Sequence, residues 1–529
     1  KDNLGRDTLV LTPIDGTNSQ VQRTSYDLMD RPTLVRTWGP PLNGVAAQET
    51  LVETFYNAAG TADSVARWSA PDPAAIGKMV TRWRYDRAGR AVAEIAPDLA
   101  KDSTEYDPAG NATKVITRRG HEITMEYDAL NRLKTRRVPM VQYNARLEGI
   151  PTTPEASALL DAMHPYPRYP NDGASGYRIA ADSATYEYDA VGAITRAYNG
   201  DAQVVRSYYP GGALRTDTLR IRTYQGTDFT THSYGLRYEY DLNGRRTALI
   251  HPSQLRAGTA RDRTSYTYHP QLGALQTVTD LTGNVFTYGY DAEGRLTSLT
   301  LPGGISESYG YDHDGNLTSH TVPNASDSDY KWGQPYLRSA TLQYDRRGKI
   351  TTTRNAHGTA DTLSASYSGL GHVVYSRLRS RGLATNDATI VYTVTEEYAY
   401  DALANLMSSA TETITTSPDG SRIDWEAGVH GYVTATGRLA RMARPQRVDT
   451  LLYDGAGNTV FTMQTSIQPG GIYEDRASYY AADGMLRAAD HRTLTTSSVL
   501  FPFYQAEFEE YRYDALGRRA LVRARRYCE

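Results

Sequence analysis

Cysteine is almost missing from this sequence: Cys528 is the one thiol in 529 residues. That excludes an internal disulfide framework and any cysteine-built zinc site, and it leaves the compartment unreadable from redox logic. No apolar run approaches the roughly 18–20 residues a membrane helix needs, and Lys1 opens no signal-peptide pattern. A dominant charge is lacking too. Lys+Arg 57 against Asp+Glu 60 leaves a net charge of −3, which excludes a globally basic nucleic-acid binder and a highly charged disordered chain. Catalytic signatures are also absent. The 11 His are scattered, with no His-Glu-x-x-His, no Gly-x-Ser-x-Gly elbow and no phosphate loop. Phe and Trp are scarce at 7 and 5, against 41 Tyr, so the aromatic content is nearly all phenol.

Repetition dominates what is present. Tyr-Asp occurs 12 times, where chance placement gives about 3. The copies begin at Tyr26, Tyr85, Tyr106, Tyr127, Tyr188, Tyr240, Tyr290, Tyr311, Tyr344, Tyr400, Tyr453 and Tyr513. In nine of them Gly follows four residues after the Tyr. These are Tyr85-Asp86 with Gly89, Tyr106-Asp107 with Gly110, Tyr188-Asp189 with Gly192, Tyr240-Asp241 with Gly244, Tyr290-Asp291 with Gly294, Tyr311-Asp312 with Gly315, Tyr344-Asp345 with Gly348, Tyr453-Asp454 with Gly457, and Tyr513-Asp514 with Gly517. Degenerate copies stand at Tyr56 with Gly60, Tyr209 with Gly212, Tyr268 with Gly273, Tyr367 with Gly371 and Tyr480 with Gly484, and a weaker one at Tyr432 with Gly437. Tyr85, Tyr106 and Tyr127 lie 21 residues apart, while other intervals are longer. The unit is therefore about 21 residues and tolerates insertion.

Each unit has a physical reading. An aromatic pair at i, i+2, such as Tyr288/Tyr290 or Tyr309/Tyr311, puts both rings on one face of a strand. Asp ends the strand, with a carboxylate suited to accept backbone N–H bonds in a turn. Gly supplies a left-handed backbone, and the chain returns through a segment such as Arg295-Leu296-Thr297-Ser298. This predicts a strand–turn–strand hairpin of about 20 residues. Seventeen such hairpins, 12 plus 5 degenerate copies, give about 34 strands and a sheet roughly 160 Å wide at the usual strand spacing. Open sheets beyond about ten strands curl or split. The expectation is an all-β chain whose antiparallel hairpins form a large curved or spiralling hollow β-shell, with strand above about 45% and helix below about 10%. A propeller fits the elastic spacing poorly, and a parallel β-helix would want a more apolar stack.

Tyr290-Asp291-Ala292-Glu293-Gly294-Arg295-Leu296-Thr297 and Tyr311-Asp312-His313-Asp314-Gly315-Asn316-Leu317-Thr318 resemble the YD repeat of Rhs proteins, toxin-complex C components, bacterial wall-associated proteins and teneurins. The resemblance runs from about Tyr26 to Arg518. It implies a spiralling β-sheet cocoon that often encloses a C-terminal toxin or effector. An Asp-Pro-x-Gly-Leu-rich core and an aspartyl autoprotease segment, expected of Rhs chains, are not found, so cargo and plug are left unaccounted for.

One segment breaks the pattern. Residues 138–185 read as an insertion with a short helix over 154–163 and a Pro/Tyr-rich loop over 164–173, the tip of an elaborated hairpin or a binding loop. Asp312, Asp314 and Asn316 make too few ligands for a calcium loop. The whole chain thus reads as a single repeat region, a fragment of something longer. The functional expectation is a non-catalytic scaffold, secreted or on a bacterial cell surface, that encloses or presents an effector polypeptide or the rest of its own chain. A structural or adhesive surface fibre is the alternative, and a carbohydrate-binding or carbohydrate-processing protein is the alternative of another class. No cofactor, metal, nucleic acid or membrane span is expected, while a surface glycan or another protein stays open as a partner.

Overall fold

A computed structural model of the chain describes residues 1–70, 77–143, 177–225, 228–253, 261–322, 339–357, 359–381, 391–401, 403–417, 420–433, 436–466, 473–495 and 503–528. The helix expected over 154–163 and the loop over 164–173 lie outside the described residues. Strand makes up 65% of the structure, and no helix occurs among the described residues. Of the 39 strands among the described residues, 37 belong to one antiparallel sheet and two form a separate ribbon.

The sheet is a meander because every hairpin returns beside itself. Val285–Tyr290 pairs with Leu296–Thr300, which pairs with Ser306–Tyr311, which pairs with Leu317–Thr321. Thr, Ser and Tyr alternate along these strands, and such β-branched and aromatic side chains fit a pleated, half-buried surface. Most of their residues are accordingly half-buried. Just before the motif turns whose strand pairing is described, the register slips by one, as between Gly289 and Tyr290. One described pairing skips strands: Leu133–Val138 pairs with Asp182–Tyr188, across the insertion. The base of that insertion is the separate ribbon, Val141–Tyr143 against Tyr177–Ile179. The terminal strands Leu9–Pro13 and Arg519–Cys528 each pair on one side only among the described residues.

The chain divides into two compact units, each drawn from segments far apart in sequence. The first comprises residues 1–54, 66–78 and 238–430, and the second residues 55–65, 79–237 and 431–529. Apolar packing is concentrated in the second. There Val141, Tyr143 and Ile179 from the insertion base join Ile123, Val460, Phe461, Ala477 and Tyr479 in one buried cluster. The Tyr143 and Tyr479 rings meet edge to face with centroids 5.2 Å apart.

Candidate functional site

The motif turn is a three-residue loop built the same way at all nine full copies. The Asp N–H donates to the carbonyl four residues on (2.8–3.0 Å), and the Gly N–H donates back to the Asp carbonyl (2.9–3.2 Å). Gly89, Gly110, Gly192, Gly244, Gly294, Gly315, Gly348, Gly457 and Gly517 have φ between 75 and 94°, the left-handed region that closes such a loop with a bulge. The Asp side chain completes it. At Asp86 the Oδ1 accepts from the N–H groups of Ala88 and Arg90, and the Oδ2 accepts from Arg90 Nε at 2.7 Å. At Asp107, Asp312 and Asp454 the position after Gly is Asn, whose amide replaces the guanidinium. Asn316 thus occupies the Asp312 carboxylate that a calcium loop would need.

Neighbouring turns are tied together through the motif tyrosines. At eight of the motif turns the phenol donates to the carbonyl two residues beyond the left-handed residue of the preceding turn, at 2.6–2.9 Å. The pairs are Tyr85 to Ala62, Tyr106 to Ala91, Tyr188 to Leu133, Tyr290 to Leu275, Tyr311 to Leu296, Tyr344 to Leu317, Tyr453 to Leu439 and Tyr513 to Leu486. The residue after Gly adds a second tie. Arg90 reaches from its own Asp86 to the carbonyl of Asp107 at 3.0 Å, and its guanidinium lies 4.7 Å over the Tyr106 ring. Arg295 repeats this against Asp312 and Tyr311. One row of turns is therefore a lattice of phenol, guanidinium and backbone carbonyl, with each phenol–carbonyl bond worth about 0.5–1.5 kcal/mol net.

Turns at the opposite sheet edge meet motif turns within each unit. In the first unit, Asn43 Nδ2 donates to the Tyr367 carbonyl at 2.8 Å and Gln48 Nε2 to the Tyr400 carbonyl at 2.9 Å. In the second, Arg119 and the Tyr143 phenol both donate to the Tyr480 carbonyl, and Asn199 Nδ2 donates to the Tyr513 carbonyl. The same backbone group, the carbonyl of a motif tyrosine, receives the partner in both units. The second unit sinks charge into this contact: Arg119 lies 3.5 Å from the buried Asp454, and Arg487 bonds Asp201 at 2.7 Å.

The titration behaviour follows from these bonds. The Arg90 backbone N–H, then its guanidinium, hold the Asp86 carboxyl below its ordinary value of 3.8. The Asn111 amide does the same at Asp107, and the Arg132 N–H at Asp128. Burial raises the phenols of Tyr127, Tyr188, Tyr290, Tyr453 and Tyr480, so they stay protonated and donate. Tyr309, Glu307 and His320 form a phenol–carboxylate–imidazole cluster, but its polar atoms bond one another and its rings stack at 4.6 Å. Among the described residues no group of three or more His, Cys, Asp or Glu could hold a metal ion. No helix there is long and apolar enough to cross a membrane.

Several elements escape the sequence reading. Tyr208, rather than Tyr209, is the motif phenol of its turn, bonding the Ile194 carbonyl while Tyr209 takes the Asp position. The opposite-edge turns use the same loop without a Tyr: Asp280 with Gly283 and Asn284, and Thr117 with Gly120 and His121. Asp-x-x-Gly-Asn at 280–284 is a signal that could have found the first of these. Asn131 and Ala404 stand at φ 60 and 70° where other copies have Gly.

Comparison with known proteins turns on the same residues. The RHS Repeat family model matches residues 106–139, 271–306 and 290–327. The chain carries RHS repeats. No curated protein matches it. Among solved structures, TcdB2-TccC3 without its hypervariable C-terminal region matches 96% of this chain and 30% of its own, at 12% identity and a TM-score of 0.47. A Photorhabdus luminescens Tc holotoxin pore matches 98% of this chain and 34% of its own, at 12% identity and a TM-score of 0.22. The RHS-repeat chain thus spans about a third of the length of these structures.

Proposed function

We propose that this RHS-repeat chain is a non-catalytic wall segment, secreted or displayed on a bacterial cell surface, that encloses or presents an effector polypeptide. The observation that carries this reading is the turn lattice. It joins hairpin to hairpin through phenol–carbonyl bonds at a constant position and so extends a sheet without needing a thick apolar core. Contacts between opposite-edge turns and motif turns then join distant segments within a unit, which suits a wall laid down in successive passes. Such a wall has surface to offer a polypeptide, and its repeated carboxylates are spent on turn geometry rather than chemistry.

Limited proteolysis of the full-length gene product tests this. An enclosed effector segment should survive while the wall is native and be cut once the wall is unfolded. Cleavage of that segment at equal rates in both states would contradict enclosure.

A further inference from the structure

The last strands of the second unit carry a cavity of about 610 Å³ that the turn lattice does not use. It lies across Arg447–Tyr453, Thr459–Ser466, Tyr473–Tyr480, Leu486–Thr495 and Phe503–Tyr513, which pair in that order. Five carboxylates line it, Asp449, Glu474, Asp475, Glu507 and Glu509, against the guanidinium groups of Arg447 and Arg476. Its apolar wall comes from Met442, Leu451 and Met463. Most of the acids are already engaged. Asp475 bonds Arg492 at 2.8 Å, Glu474 bonds His491 at 2.7 Å, Glu507 faces Arg526 at 3.3 Å, and Glu509 accepts the Tyr511 hydroxyl.

Asp449 differs. It is only 9% exposed, and its Oδ1 takes Arg447 Nε at 2.8 Å. Its Oδ2 is buried with no hydrogen-bond partner. A buried carboxylate oxygen without a donor is costly, and a donor delivered through the cavity removes that cost. We infer that the cavity binds an arginine side chain of a polypeptide partner, with the guanidinium donating to Asp449 Oδ2. A planar, weakly hydrated guanidinium suits a site that pairs carboxylates with thioether and leucine walls, and its methylenes cover that apolar surface. A compact, strongly hydrated ammonium suits it less.

The nature of the partner rests on the scaffold reading above, but the binding does not, so the two fail separately. The test uses the 529-residue chain and fluorescently labelled hexa-arginine, with hexa-lysine as the second probe. Hexa-arginine should bind more tightly than hexa-lysine, and Asp449→Asn should weaken it at least about tenfold. Glu507→Gln, nearer the solvent, should weaken it several-fold and decides the matter if Asp449→Asn does not fold. Glu105→Gln, on the strand Lys101–Tyr106, should leave binding unchanged. Equal affinity for wild type and Asp449→Asn, equal binding of the two peptides, or an equal loss in Glu105→Gln would overturn the assignment.

Discussion

Tyr143, Val460 and Phe461 of the second unit are at most 1% exposed and belong to one apolar cluster, whereas the first unit's buried side chains, among them Ile14, Leu51, Val374 and Leu403, form no such cluster among the described residues. Both units repeat the same hairpin and the same turn lattice. The difference is what the insertion adds: its base, Val141–Tyr143, places a buried phenol between Arg119 and the backbone of Tyr480. The first unit is thus joined by its strand ladders and turn bonds without such a cluster among the described residues, and the second adds a packed core where a hairpin carries extra chain.

The comparison breaks most visibly at Tyr143. Tyr143→Ala removes a fully buried ring and its three polar contacts, and should cost about 3–5 kcal/mol. In a denaturant titration followed by hydrogen exchange, the second unit should open early while the first keeps its protection. Simultaneous loss in both units would mean that the cluster supports the first unit as well.

A smaller effect isolates the turn. Gly294 has φ 81°, and a Cβ there would meet nothing within 4 Å, so Gly294→Val should cost about 1–2 kcal/mol from backbone strain alone. Glu293→Ala, beside it, should be nearly silent, because its ion pair with Arg295 at 3.4 Å is at the surface. Similar midpoints for the two variants would contradict the turn account. Smaller again, Tyr311→Phe deletes the bond to the Leu296 carbonyl and should cost about 0.5–1.5 kcal/mol. Its signature is faster exchange in Leu296–Thr300 as well as in Ser306–Tyr311. Loss confined to the mutated strand would mean that the phenol ties nothing to its neighbour.

Acid should separate the units by pH. The motif carboxyls Asp86, Asp107 and Asp128 titrate below 3.8 when folded, so their contribution is complete above about pH 4 and is lost as pH falls through the folded values. The first unit carries a further dependence at His372. Burial lowers that imidazole from its ordinary 6.5, favouring the neutral form, so folding weakens as pH falls below 6.5 toward the folded value. Exchange rates should therefore rise in the strand Val373–Arg381 at a higher pH than in Lys101–Tyr106. A shared onset would remove the distinction.

The hairpin is legible in the sequence because its determinants are local: Asp, Gly and the i, i+2 aromatic pair sit within eight residues, and each acts on its own turn. The tie between turns is less legible. Arg90 looks like an ordinary exposed cation until the Asp107 carbonyl and the Tyr106 ring are placed beside it. The slip at Tyr208 has a similar cause, since Tyr208-Tyr209 offers two phenols and only strand register chooses between them. The contacts of Arg119 with Tyr480 and of Asn199 with Tyr513 leave no local trace, because their partners lie more than 300 residues away. For the same reason the unpartnered Asp449 oxygen is invisible in a sequence where carboxylates recur at every turn.

The scaffold account stands on the sheet being a wall rather than a packed body, and small-angle scattering of the 529-residue chain tests that most directly. A compact solid of this length has a radius of gyration of about 24 Å. The account predicts a larger value with a pair-distance profile depleted at the centre, and a value at or below about 24 Å with a solid-sphere profile would contradict it.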